Sequence, residues 1–294
     1  MVGMEERYSQ DFVYRSEFSD LSGATDVVFI DPITIAVSFQ NGQVDVLDIA
    51  MRRVIRSKKF SFPVTGLVVD RNGKLIVQTK SHALQNWDSE WSVDCKTATT
   101  FSRPVLVGNE YVWVVSAGQS TISVVSEGVV KREVDLTKFG ASGMVVAMHA
   151  DAPRVVILSE SSHILEFEAD GTFVALTSVT PSTKEACPTA FCRVPGAFLV
   201  GYSDGTVVTA GGDDQHPCWQ WPDAVGIGCM HSCGDSVVVG SWKGGLVRID
   251  DLNGAMSEAV PSCHSSAIVK IAGSTDYLAA ASSDGRVSIF LRNS

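Results

Sequence analysis

The sequence predicts an all-β chain, a single seven-bladed β-propeller over residues 1–294 built from four-stranded antiparallel blades, with an N-terminal strand completing the last blade. Three observations predict it. A strand–turn–strand unit recurs about every 40 residues. Another apolar segment precedes each unit, separated from it by a turn signal. The last copy reaches the end of the chain one strand short.

Registered on the last position of their second strand, the units end at Leu47, Trp87, Val125, Phe167, Ala210, Asp250 and Phe290, spaced by 40, 38, 42, 43, 40 and 40 residues. "ITIAVSFQNGQVDVLD" (33–48), "LIVQTKSHALQNWD" (75–88), "FLVGYSDGTVVTA" (198–210), "VVVGSWKGGLVRID" (237–250) and "YLAAASSDGRVSIF" (277–290) carry the pattern most clearly. "YVWVVSAGQSTISVV" (111–125) and "VVILSESSHILEF" (155–167) are weaker copies. The preceding apolar segments are 26–30, 64–69, 103–107, 144–148, 189–192, 226–230 and 267–271. Between the two parts lie "DP", "DRNG", "GNE", "DAP", "PG", "CGD" and "STD". Such Gly, Pro, Asn and Asp clusters supply the backbone angles that tight hairpins need. Helical periodicity is absent, and "EACPTAF" and "DLTKFGASG" are too short and broken to form long helices.

The seventh copy supplies three strands before "LRNS". An unpaired strand there would leave an aggregation-prone edge and an open ring. The segment "YSQDFVYRSEF" (8–18) alternates Phe12, Tyr14 and Ser16 against Val13, Arg15 and Glu17, and is expected to be the missing outermost strand.

Composition narrows the function. A net charge of −10 argues against a general nucleic-acid or anionic-membrane binder. One basic run, "RRVIRSKKF", holds Arg52, Arg53, Arg56, Lys58 and Lys59; it reads as a solvated outer strand, with phosphopeptide or phosphoinositide binding as the alternative. No apolar run is long enough for a membrane span, and the N-terminus lacks a secretory core. Seven irregularly spaced cysteines read as reduced, buried thiols of a cytoplasmic or nuclear protein.

These units resemble WD40 repeats. Trp87-Asp88 reproduces the Trp-Asp signature once, and the last unit keeps His264, the turn residue Asp284 and the aromatic Phe290. Ala280 stands where the family has a serine in its second strand, so a complete His–Ser–Asp–Trp hydrogen-bonded tetrad is not expected in any blade, and apolar packing must hold most of them. Within the family, "KLIVQTKSHALQNWD", "FLVGYSDGTVV" and "CHSSAIVKIA…YLAAASSDGRVSIF" are similar to segments of the small ASTRA-associated, G-protein-β-like propellers. That resemblance implies a WD-repeat subunit of the co-chaperone assembly for phosphatidylinositol-3-kinase-related kinases, linked to chromatin acetyltransferase complexes. The implied partners are proteins, a helical-repeat scaffold among them, met by a propeller that is monomeric by itself.

Catalytic signals are weak. Ser203 in "GYSDG" matches Gly-x-Ser-x-Gly, but a strand follows where a nucleophile elbow needs a helix. His216 and Cys218 with Cys229, His231 and Cys233 lack the paired spacing of a zinc site, and alternate as core residues would. The innermost segments "VVFI", "VTGLVV", "MVVAM" and "AIVKI" carry mostly apolar residues and one lysine, Lys270, which disfavours an enzyme or small-molecule binder using the central channel. The expectation is a non-catalytic interaction scaffold without metal or cofactor. Its candidate partner-binding residues are Tyr202, Trp242, Lys243 and His264 on one rim, and its structural turn and closure residues are Asp204, Asp284, Phe290, Trp87 and Asp88.

Overall fold

A computed structural model describes residues 8–15, 22–70, 72–81, 83–88, 92–94, 104–107, 111–115, 120–151, 153–181, 183–211, 215–250, 257–260 and 264–292. Seven four-stranded antiparallel sheets form a seven-bladed β-propeller.

The first strand, β1 (Tyr8–Arg15), belongs to the last blade. Blade 1 is β2 (Ala24–Asp31), β3 (Thr34–Phe39), β4 (Gln43–Asp48) and β5 (Arg53–Lys59). Blade 2 is β6 (Val64–Val69), β7 (Leu75–Thr79), β8 (Ala83–Asn86) and β9 (Ser92–Asp94). Blade 3 is β10 (Val105–Val107), β11 (Tyr111–Val115), β12 (Thr121–Ser126) and β13 (Val129–Asp135). Blade 4 is β14 (Val145–Asp151), β15 (Arg154–Ser159), β16 (His163–Glu168) and β17 (Phe173–Ser178). Blade 5 is β18 (Pro188–Val194), β19 (Ala197–Tyr202), β20 (Thr206–Ala210) and β21 (Pro217–Gln220). Blade 6 is β22 (Ile227–Cys233), β23 (Ser236–Ser241), β24 (Leu246–Ile249) and β25 (Ser257–Val260). Blade 7 is β26 (Ile268–Gly273), β27 (Tyr277–Ser282) and β28 (Arg286–Arg292), completed by β1.

The first strands of the blades neighbour one another in cyclic order, β26 returning to β2, so they line the central channel. Each marker residue taken from the sequence falls within a third strand or one residue past its end. The "GNE" turn and residues 16–18 of the N-terminal segment lie outside the described residues. "DLTKFGASG" contains one 3-10 turn, Leu136–Phe139, capped by the Asp135 carboxylate accepting from Thr137 N.

Apolar packing holds the ring together. The second strands are buried on both faces, so successive side chains enter different interfaces. In β11, Val112 and Val114 pack towards blade 2, whereas Trp113 and Val115 pack towards blade 4. Seven apolar clusters result, one at each blade–blade interface. Glycines allow the closest approaches. A Cβ on Gly201 would lie 2.7 Å from Ile227 Cγ2, and one on Gly240 would lie 2.8 Å from Ile268 Cβ. The first residue of an innermost strand thus plugs the gap left by a glycine in the preceding blade.

Closure follows the expected route. β1 pairs antiparallel with β28 from Tyr8↔Arg292 to Arg15↔Arg286, with one irregularity between Gln10 and Phe12. It also docks onto blade 1. Tyr14 Oη donates to Asp45 Oδ2 at 2.8 Å, and the other oxygen of that buried carboxylate accepts from Gln43 Nε2 (2.8 Å) and Ser57 Oγ (2.6 Å). Asp11 pairs with Arg52, whose guanidinium lies over the Phe12 ring at 5.7 Å.

Candidate functional site

The turns between second and third strands share a rim with the loops that connect consecutive blades. Asp284, in the β27–β28 turn, accepts from Ser265 N and Arg286 N, both at 3.0 Å, and lies 3.7 Å from His264 Nδ1. Asp204 builds the equivalent turn of blade 5 by accepting from Thr206 N at 3.0 Å. Burial works against the Asp284 anion, but the Ser265 and Arg286 N–H groups and the nearby imidazole outweigh it, holding its pKa below the ordinary value.

Two of the four expected rim residues are interior. Tyr202 is fully buried between blades 4 and 5, its hydroxyl beside Ser162, and burial raises its pKa. As the last residue of β19 it keeps the parity of Val200, which faces the same cluster, so it offers no surface to a partner. The His264 side chain is likewise buried, and burial depresses its pKa against the opposing pull of Asp284. It joins its loop to the β27–β28 turn, while Ser282 Oγ donates to Ser266 O at 3.0 Å nearby. Blade 7 thus joins this turn and loop through polar side chains.

Trp242 and Lys243 are exposed in the β23–β24 turn. Trp242 is 47% exposed. Its buried face lies on the backbone of blade 6's entry segment. A Cβ on Gly226 would fall 2.4 Å from the indole Cε3, and one on Gly228 would fall 3.4 Å from Cδ1. Trp242 N also donates to Gly226 O at 2.9 Å. The half-buried Trp221 reaches the end of the same turn, where a Cβ on Gly245 would fall 2.6 Å from its Cζ2, and meets Trp219 edge-on at 5.5 Å. The outcome is an indole fixed on one face and open on the other.

The remaining sequence candidates are structural. Trp87 is buried between blades 1 and 2, with the Arg56 guanidinium over its ring at 5.4 Å and the Lys58 ammonium at 5.7 Å. Asp88 pairs with Arg56 at 3.2 Å. Phe290 is fully buried between blades 6 and 7. Ser203 sits in the β19–β20 turn, where its Oγ accepts from Cys187 N at 3.0 Å.

Cys192 and Cys229 are buried and Cys218 and Cys233 half-buried, but Cys187 is exposed on the rim, a departure from the uniformly buried expectation. Burial raises the pKa of Cys218 to about 11. Cys95 and Cys263 lie outside the described residues.

The channel is more polar than the quoted segments suggest. His149, Arg193, His231 and Lys270 stand on the innermost strands of four consecutive blades. Burial, followed by the Lys270 and Arg193 charges, lowers the His149 pKa to about 4. Burial, Lys270 and His149 lower that of His231 to about 4. Both imidazoles are therefore neutral at pH 7. Arg193 lies over the Phe198 ring at 5.6 Å, and a Cβ on Gly273 would fall 2.6 Å from His231 Nε2. The first three of these residues lie one residue beyond the apolar segments read from the sequence. Continuing the strand reading by one position would have found them.

Compared with known proteins, the chain matches no family model and no curated protein. The propeller rests on its geometry.

Proposed function

We propose that this propeller is a non-catalytic protein–protein interaction scaffold whose partner docks on the rim of blades 5 and 6, around Trp242. The supporting observation is the indole itself, nearly half exposed yet held against the Gly226 and Gly228 backbone. A pre-positioned aromatic contributes contact area while losing little conformational freedom on binding. Lys243 adds a cation beside it. On this reading the chain is a WD40-like subunit of a multiprotein complex in the cytoplasm or nucleus. The resemblance stated above favours the co-chaperone assembly for phosphatidylinositol-3-kinase-related kinases, with a helical-repeat protein as the docked partner.

Affinity purification with mass spectrometry, comparing the wild-type chain with Trp242→Ala/Lys243→Glu, tests this. The double variant is expected to lose its main partner while melting within a few degrees of wild type, since a half-exposed ring contributes about 1 kcal/mol to folding. Undiminished recovery of the partner would place the interface elsewhere, and a collapsed melting temperature would assign Trp242 to the core.

A further inference from the structure

The basic residues of the run from Arg52 to Lys59 are not uniformly engaged. Arg52 is engaged by Asp11, Arg56 by Asp88, and Lys58 by the Trp87 carbonyl. Among the described residues, no carboxylate lies within ion-pair distance of Arg53 or Lys59, both exposed. The upper end of β5 is flanked by two clefts, of about 320 and 520 Å³. Lys58 and Lys59 line both. The smaller, between blades 1 and 2, adds Ser61, Ser81 and Gln85 as hydrogen-bonding groups, with the half-exposed Phe62 as an apolar wall. Among the described residues no carboxylate lines either cleft, in a chain of net charge −10.

We propose that the cleft beside Lys58 and Lys59 binds a phosphoserine or phosphothreonine side chain presented by an extended segment of a partner protein. The chemistry fits a phosphoryl group better than a carboxylate. The exposed Lys59, with Lys58 lining the same cleft, supplies positive charge for its near-double negative charge, and neighbouring hydroxyl and amide donors match its three terminal oxygens. An extended peptide fits because β5 is the end strand of its sheet, so its outer edge can pair with added main chain while the phosphoryl group enters the cleft. A phosphoinositide membrane fits less well. The net charge opposes approach to an anionic surface, whereas a short segment answers to the local field of the cleft.

This site is separate from Trp242, and the test keeps the two readings apart. The full chain is passed over immobilised degenerate peptide libraries carrying phosphoserine or phosphothreonine and over their unphosphorylated twins. Vesicles of phosphatidylcholine doped with phosphatidylinositol phosphates form a parallel arm. The phosphorylated libraries are expected to retain the protein at least about tenfold better. Lys59→Glu and Ser81→Glu should each abolish that preference at an unchanged melting temperature, whereas Lys59→Arg and Trp242→Ala should keep it. Equal retention on both libraries, indifference to Lys59→Glu, or binding to vesicles in place of peptides would overturn the proposal.

Discussion

Removing residues 1–18 deletes β1, whose structural work can be sized from its side chains. Tyr8 is 5% exposed and belongs to the cluster between blades 6 and 7; Phe12 and Tyr14 pack against the cluster between blades 7 and 1. Truncating one buried aromatic costs about 3–5 kcal/mol. Tyr14→Phe removes a donor from the buried Asp45 carboxylate, worth about 1.5–3 kcal/mol for a charged acceptor. The deletion loses both and also leaves the β28 edge unpaired, so Tyr8→Ala sets a lower bound for it. For a chain of this size about 2 °C of melting temperature accompanies each kcal/mol, which places the expected loss for Tyr8→Ala at roughly 6–10 °C. The deletion should lose more, and should aggregate through its open edge. Calorimetry and light scattering on wild type, Tyr8→Ala, Tyr14→Phe and the deletion measure the series. A deletion protein that stays monomeric and melts with wild type would refute non-covalent closure by β1.

Two further predictions concern the interior. Gly240→Ala should cost about 1–3 kcal/mol, because the new Cβ would sit 2.8 Å from both Ile268 Cβ and Ile268 Cγ2 and 3.1 Å from Cys229 Sγ; in denaturant titrations Ile268→Ala, which removes Cγ2, should relieve part of that cost, and strict additivity of the pair would defeat the plug-and-gap account. The channel histidines set the sign of a pH dependence: above pH 6.5 both are neutral folded or unfolded, while between about 6.5 and 4 the unfolded chain takes up protons that the folded ring refuses. Stability contributed by their neutral forms should therefore fall as pH falls through that window, by roughly 2–3 kcal/mol per histidine and less than additively for the interacting pair. His149→Gln/His231→Gln should flatten the difference in urea-derived stability between pH 7 and pH 4.5, and an unchanged slope would remove the channel from the account.

The blade pattern was legible because the propeller asks each second strand for burial on both faces and each hairpin for a specific turn, and both demands fall on consecutive residues. The rim was legible only with the register held fixed. Aligned on Gly201 and Gly240, Tyr202 corresponds to Ser241, both buried strand ends, and Trp242 corresponds to Ser203 in the turn. Expecting both aromatics on the rim overlooks that one-residue offset, which in a strand exchanges one face for the other. The β5 cleft was beyond such reading. Its lysines were visible as a run with Ser61 close behind, but Ser81 and Gln85 join them only through packing of the next blade, and the engagement of Arg52 and Arg56 depends on carboxylates from two different neighbours.

The Trp-Asp pair stands in only one of the seven units, and this has a physical counterpart in how the blades are held. A polar tetrad locks a turn to the preceding loop by hydrogen bonds that each contribute about 1 kcal/mol net and oblige every buried donor to find an acceptor. Apolar clusters at all seven interfaces need no such match, and they leave blades free to differ at the rim. The difference between blades 6 and 7 shows it. Blade 7 commits His264 and Asp284 to joining its turn and loop, and both side chains are withdrawn from solvent to varying degrees. Both blades also join these segments by a backbone bond, Trp242 N to Gly226 O in blade 6 and Ser283 N to Ala267 O in blade 7, each 2.9 Å. Blade 6 adds an indole lying on glycine where blade 7 has its His–Asp contact. The contact that stabilises that turn therefore keeps one aromatic face outside, so the same side chain can serve the fold and a partner.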